Sequence, residues 1–130
     1  MAELRIILVV EDDEGNREAL SELLEGEGYQ VIAAANGQDA LAWLRANPAV
    51  SPSLILLDMM MPVMNGTEFR MQQREDPQLA KIPVVLMSAG ARIEEEATVL
   101  GAVGVIGKPP DVDDMLAQIE HYSRPPEQSR

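Results

Sequence analysis

Glu11-Asp12-Asp13, Asp58 and Lys108 lie far apart in the chain but share one local setting. Each follows a short apolar run: Ile6-Ile7-Leu8-Val9-Val10, Leu54-Ile55-Leu56-Leu57 and Val103-Gly104-Val105-Ile106-Gly107. In an open parallel sheet, ligands bind outside the carboxyl ends of the strands. If the three runs are neighbouring strands, several carboxylates and one ammonium share a pocket. Crowded carboxylates do not ionise cheaply without a counter-charge, and a hard divalent cation such as Mg²⁺, with its preference for oxygen ligands, resolves the conflict. An aspartate beside such a cation is a nucleophile suited to a phosphoryl group, with the lysine neutralising charge. Ser88, directly after Val84-Val85-Leu86-Met87, adds a hydroxyl that can donate to a phosphoryl oxygen, and the small Ala89 and Gly90 leave room beside it.

Each feature also has a plainer reading. Acids favour a helix start, serine is common in turns, and most loop lysines are solvated. Asp58, at the end of an apolar strand, is the hardest to explain that way.

The elements that would position these residues alternate along the chain. Residues 5–10, 30–34, 54–57 and 84–87 read as strands, and residues 101–106 hold a fifth. Residues 14–27 read as a helix with Ala19, Leu20, Leu23 and Leu24 on one stripe, ended by Gly28 in a left-handed cap. Asn36-Gly37 opens a helix over 38–46 that carries Leu41 and Leu44. Further helices are predicted over 66–74, 92–100 and 111–121, the last capped by Asp111 with Met115, Leu116 and Ile119 inward. Residues 59–65, with Pro62, form a loop. The strands are near-continuous apolar runs, as expected when both faces are buried. The expectation is an α/β domain: a five-stranded parallel sheet, doubly wound, of flavodoxin-like architecture.

The bulk composition bounds the function. The chain has 130 residues, of which 46% are apolar, enough for one core. No cysteine is present, so disulfides and thiolate metal sites are excluded. Twenty-two acids against 10 bases give a net charge of −12, which disfavours direct nucleic-acid binding. No signal peptide pattern and no membrane-length apolar run are seen, so a cytoplasmic protein without membrane insertion is expected.

The set Val-Val-Glu11-Asp12-Asp13, Leu-Leu-Asp58-Met-Met-Met-Pro62, Asn65-Gly66, Val-Val-Leu-Met-Ser88-Ala89 and Gly107-Lys108-Pro109 resembles the receiver domain of two-component response regulators, the CheY-like family. Each motif is weak alone, but five in order on the expected strands are specific. The resemblance covers residues 4–122, leaving 123–130, with Pro125-Pro126, as a tail or linker start.

It implies that Asp58 is the phosphoacceptor, with Ser88 as the switch hydroxyl and Lys108 as the charge partner. It also implies that Mg²⁺ is held by Asp12, Asp58 and the backbone carbonyl of Met60, with Glu11 close by or acting through water. Asp13 would be a neighbour of the pair and not a ligand. The implied partners are a sensor histidine kinase or histidine phosphotransfer protein and an unidentified downstream protein, with a homodimer through residues 92–122 as a further expectation. The protein would be a signalling switch, not an enzyme in the ordinary sense.

The match departs at Val105, where the family often has Tyr or Phe as a rotameric switch, and at Pro110. An alternative is therefore a receiver-like interaction module that works without phosphorylation. A flavin-binding protein is disfavoured because residues 11–14 are all acidic and would repel a phosphate. An aspartyl-phosphate hydrolase is disfavoured because no Asp-x-Asp nucleophile motif follows the first strand and 130 residues leave no room for a cap domain. Met59, Met60, Met61 and Met64 read either as adaptable packing or as a partner-docking surface.

Overall fold

The computed structural model describes residues 5–61 and 63–124; Pro62 and the tail with Pro125 and Pro126 lie outside the described residues. Its elements alternate strictly: β1 (Ile6–Val10), α1 (Glu14–Gly26), β2 (Gln30–Ala34), α2 (Gly37–Ala46), β3 (Leu54–Asp58), α3 (Gly66–Glu75), β4 (Val84–Ser88), α4 (Ile93–Leu100), β5 (Gly104–Gly107) and α5 (Val112–Tyr122). The strands form one parallel sheet in the order β2-β1-β3-β4-β5. The order reverses between β1 and β3, which opens a crevice at their carboxyl ends.

The pleat sends alternate side chains to opposite faces. Leu8, Val10, Ile55, Leu57, Val84 and Leu86 pack with Leu41 and Leu44 of α2, Phe69 of α3 and Ala97 and Leu100 of α4. Ile7, Val9, Leu54, Leu56, Val85, Met87 and Ile106 pack with Leu20 and Leu24 of α1 and Met115 and Ile119 of α5. Such two-sided burial is why the strands read as unbroken apolar runs.

Caps set the helix starts. Asp13, Asn36 and Asp111 accept from the backbone N–H groups of Asn16, Asp39 and Asp114, and Asn65 and Glu68 form a reciprocal capping box on α3. Two expectations need correction and one open choice narrows. The fifth strand begins only at Gly104, because Gly101 takes a left-handed conformation (φ 67°) that ends α4. Ala19 is exposed, since the inward stripe of α1 is narrower than its apolar residues suggest. Met59 and Met61 are buried and Met64 packs on the core, so among the four methionines of the loop after β3 only Met60 is exposed.

Candidate functional site

Asp58 and Ser88 are the last residues of β3 and β4, so each strand runs one residue beyond the end expected from the sequence. Glu11 continues the alternation of Ile7 and Val9, Asp58 that of Leu54 and Leu56, and Lys108 that of Ile106. All three therefore leave the sheet toward the α1 and α5 side, while Ser88 and Val105 lie on the α4 side.

The result is one charged cluster at the carboxyl edge. Lys108 Nζ lies 2.9 Å from Glu11 Oε1 and 3.1 Å from Asp58 Oδ2. The ammonium is thus shared, and Glu11 takes its hydrogen bond. Asp58 Oδ1 accepts from the Met60 backbone N–H at 3.1 Å. Asp58 Oδ2 is buried and accepts no hydrogen bond, meeting Lys108 only as an ion contact.

Glu11, Asp12 and Asp58 each offer a carboxylate oxygen within 4.8 Å of the others, with Asp12 on the exposed side. Three converging carboxylates and one buried oxygen without a hydrogen bond match a hard cation that prefers oxygen ligands. Asp13 stands apart from this set: it caps α1, as the plainer reading of an acidic helix start expected.

The electrostatics follow from burial. Desolvation pushes Asp58 up to about 6, and the neighbouring Glu11 adds to the rise against the opposing pull of the Met60 N–H and Lys108. Burial also works against the charged form of Glu11. There the Lys108 hydrogen bond and charge and the Asp13 N–H outweigh it and hold Glu11 below the ordinary glutamate value. Lys108 loses solvation but gains two carboxylates, which raise it. In this pair Glu11 carries the charge and Asp58 is the easier group to protonate.

The Ser88 hydroxyl accepts from the Gly90 N–H at 2.9 Å and so is turned toward its own loop. The Lys108 N–H donates to the Ser88 carbonyl, tying the ends of β4 and β5 together. The Lys108-Pro109 peptide is cis. Val105 is half-buried against the α4-side core.

A match to the response regulator receiver domain spans residues 7–120. The chain belongs to that family. Sporulation initiation phosphotransferase F of Bacillus subtilis is 35% identical over 118 residues, covering 89% of this chain and 91% of that relative. Among solved structures, the chemotaxis protein CheY4 of Vibrio cholerae superposes with a TM-score of 0.81 at 28% identity, over 91% of this chain and 98% of that one. The response regulator TrrA of Thermotoga maritima, solved with Mg²⁺-BeF, gives 0.78 at 26% identity, over 92% and 99%. Receiver domains are signalling switches of two-component systems that take phosphoryl groups from histidine kinases or phosphotransfer proteins. Among the described residues of this receiver, no helix is long and apolar enough to cross a membrane.

Two contacts of the site were not expected from the sequence. Glu11 is the nearer partner of Lys108, a pairing that spans 97 positions and depends on the register of nonadjacent strands. Arg17, the one base in α1, reaches back to the Glu11 carbonyl at 3.0 Å and the Asp12 carbonyl at 3.4 Å, bracing the acidic loop. A lone cation one turn into a helix that follows an acidic run was the available signal.

Proposed function

We propose that this receiver is a phosphoacceptor switch of a two-component phosphorelay and that Asp58 takes the phosphoryl group. The observation that carries the reading is the convergence of Asp58 with Glu11, Asp12 and the Lys108 ammonium at the carboxyl edge of the sheet. The donor is a phosphohistidine on a sensor histidine kinase or phosphotransfer protein. A carboxylate oxygen of Asp58 attacks phosphorus, an O–P bond forms and the P–N bond breaks. The imidazole leaves with the electron pair and recovers a proton from solvent.

Glu11, Asp12, Asp58 and the Met60 carbonyl would hold Mg²⁺, which when bound supplies positive charge to the transferring oxygens. The solved Mg²⁺-BeF complex of TrrA supports this assignment. Lys108 already faces Asp58 and follows the negative charge as it moves onto the phosphoryl oxygens. The Ser88 hydroxyl exchanges its Gly90 partner for a phosphoryl oxygen, which frees the loop after β4. Downstream contact, including a homodimer, is assigned to residues 92–122, where Val99, Val103 and Val112 are exposed.

Incubation with acetyl phosphate tests the reading by intact mass. One added phosphoryl group is expected with Mg²⁺, none without it and none in Asp58→Asn. Modification of Asp58→Asn at the wild-type rate would overturn the assignment. A folded wild type that takes no group even from a histidine kinase would instead indicate an interaction module independent of phosphorylation.

A further inference from the structure

The two ends of α4 are held by different means. Before its N-terminus, residues 89–92 are all exposed, and Arg92 supplies no side-chain cap. The hydrogen bond from the Gly90 N–H to the Ser88 hydroxyl orders this loop. At the C-terminus, Arg70 of α3 is buried, with 7% of its surface exposed, and is aimed at the last carbonyls of α4. Its Nε donates to the Leu100 carbonyl at 2.8 Å, and a terminal nitrogen to that of Gly101 at 3.3 Å. Arg74, one turn further along α3, lies 3.5 Å from the Val99 carbonyl.

Arg70 pairs with no carboxylate among the described residues. Its charge is met by the negative end of the α4 dipole and by the Gln73 amide oxygen at 2.8 Å. Gln73, fully buried, donates in turn to the Leu79 and Ile82 carbonyls, which fixes the chain entering β4. A buried guanidinium is costly to leave without partners, so this network resists rearrangement.

We infer that Arg70 is a positioning residue of the switch: with Gln73 it pins the C-terminal end of α4, so that release of the Ser88–Gly90 bond swings the N-terminal end about Gly101. This rests on the phosphoacceptor reading. It gives a receiver with Val105 at the usual aromatic position a route for output that needs no swinging ring. The output would be a change in tilt of α4, largest around residues 89–95 and smallest around 98–102.

Amide-resolved exchange by NMR, with and without Mg²⁺ and beryllofluoride as the phosphoryl mimic, tests this on the full chain. In the wild type the mimic is expected to change exchange at residues 89–95 by about tenfold and to leave 98–102 nearly unchanged. In Arg70→Met, exchange at 98–102 should rise by about tenfold in both states, with the mimic's effect spread along α4. Phosphorylation by acetyl phosphate should stay at the wild-type rate, since Arg70 is remote from Asp58 in the network described. Arg70→Lys, which keeps the charge, should restore part of the C-terminal protection.

If the wild-type response is uniform along α4, the anchor is wrong while the phosphoacceptor reading stands. This arm decides the matter even if Arg70→Met fails to fold. A folded Arg70→Met with the wild-type pattern likewise overturns the anchor. If the mimic alters nothing at Asp58, Ser88 or Lys108, the phosphoacceptor reading falls and takes the anchor with it.

Discussion

Asp58 is buried where its charge is poorly solvated, and as the proposed phosphoacceptor it would still have to be ionised to attack phosphorus. Its value of about 6 means that most molecules are ready at pH 7. The metal-free carboxylate should titrate near pH 6 by ¹³C NMR, and Mg²⁺ should move the midpoint down by favouring the charged form. Lys108→Ala should move it up, because Glu11 then faces Asp58 without the intervening ammonium. A raised acid costs stability when ionised. Its contribution is favourable below the unfolded value of about 4 and is lost as pH rises through about 6. Asp58→Asn should therefore be more stable than the metal-free wild type at pH 7, by roughly 1–3 kcal/mol, with the gap closing toward pH 4. Urea melts at the two pH values measure this, and equal stability at pH 7 would count against the buried-charge account.

At the scale of elements, the site depends on how closely α3 approaches the end of β3. A Cβ placed on Gly66 would lie 3.0 Å from the Met59 Cα and 3.1 Å from the Asp58 carbonyl oxygen, both backbone atoms that cannot swing aside. Gly66→Ala should push the loop after β3 outward and displace the Met60 N–H from Asp58 Oδ1. Phosphorylation by acetyl phosphate should then slow by about tenfold or more while the circular dichroism of the helices persists. An unchanged rate would mean that the loop is not what orients Asp58. The strand ends were legible in the sequence because the sheet is buried on both faces, and each apolar run stops where chemistry begins. The cap signals Asn36 and Asp111 marked the starts of α2 and α5. The inner face of α3 was hidden. Its buried positions are Gly66, Phe69, Arg70 and Gln73, and a stripe that is half polar reads as surface until the helix it faces is known. The sharing of Lys108 between Glu11 and Asp58 was hidden for a related reason, since side-chain alternation along one strand says nothing of its register with the next.

For the whole molecule, a net charge of −12 and a pocket of three carboxylates pull stability the same way. Both are relieved by cations, but by different laws. General self-repulsion is screened by any salt, and sodium chloride should raise the urea midpoint of wild type and Asp58→Asn alike. Site binding instead follows mass action: a ligand taken up only by the folded state adds about 2.7 kcal/mol at a hundredfold excess over its dissociation constant. At constant ionic strength Mg²⁺ should therefore raise the wild-type midpoint further and saturate, while Asp12→Ala should need much more Mg²⁺ for the same gain. Ca²⁺ separates the two laws again, because its larger radius suits more ligands than this pocket offers, so it should stabilise less than Mg²⁺ at equal concentration. Equal gains from Mg²⁺ in wild type and Asp12→Ala would assign the whole effect to screening and remove the metal from the site.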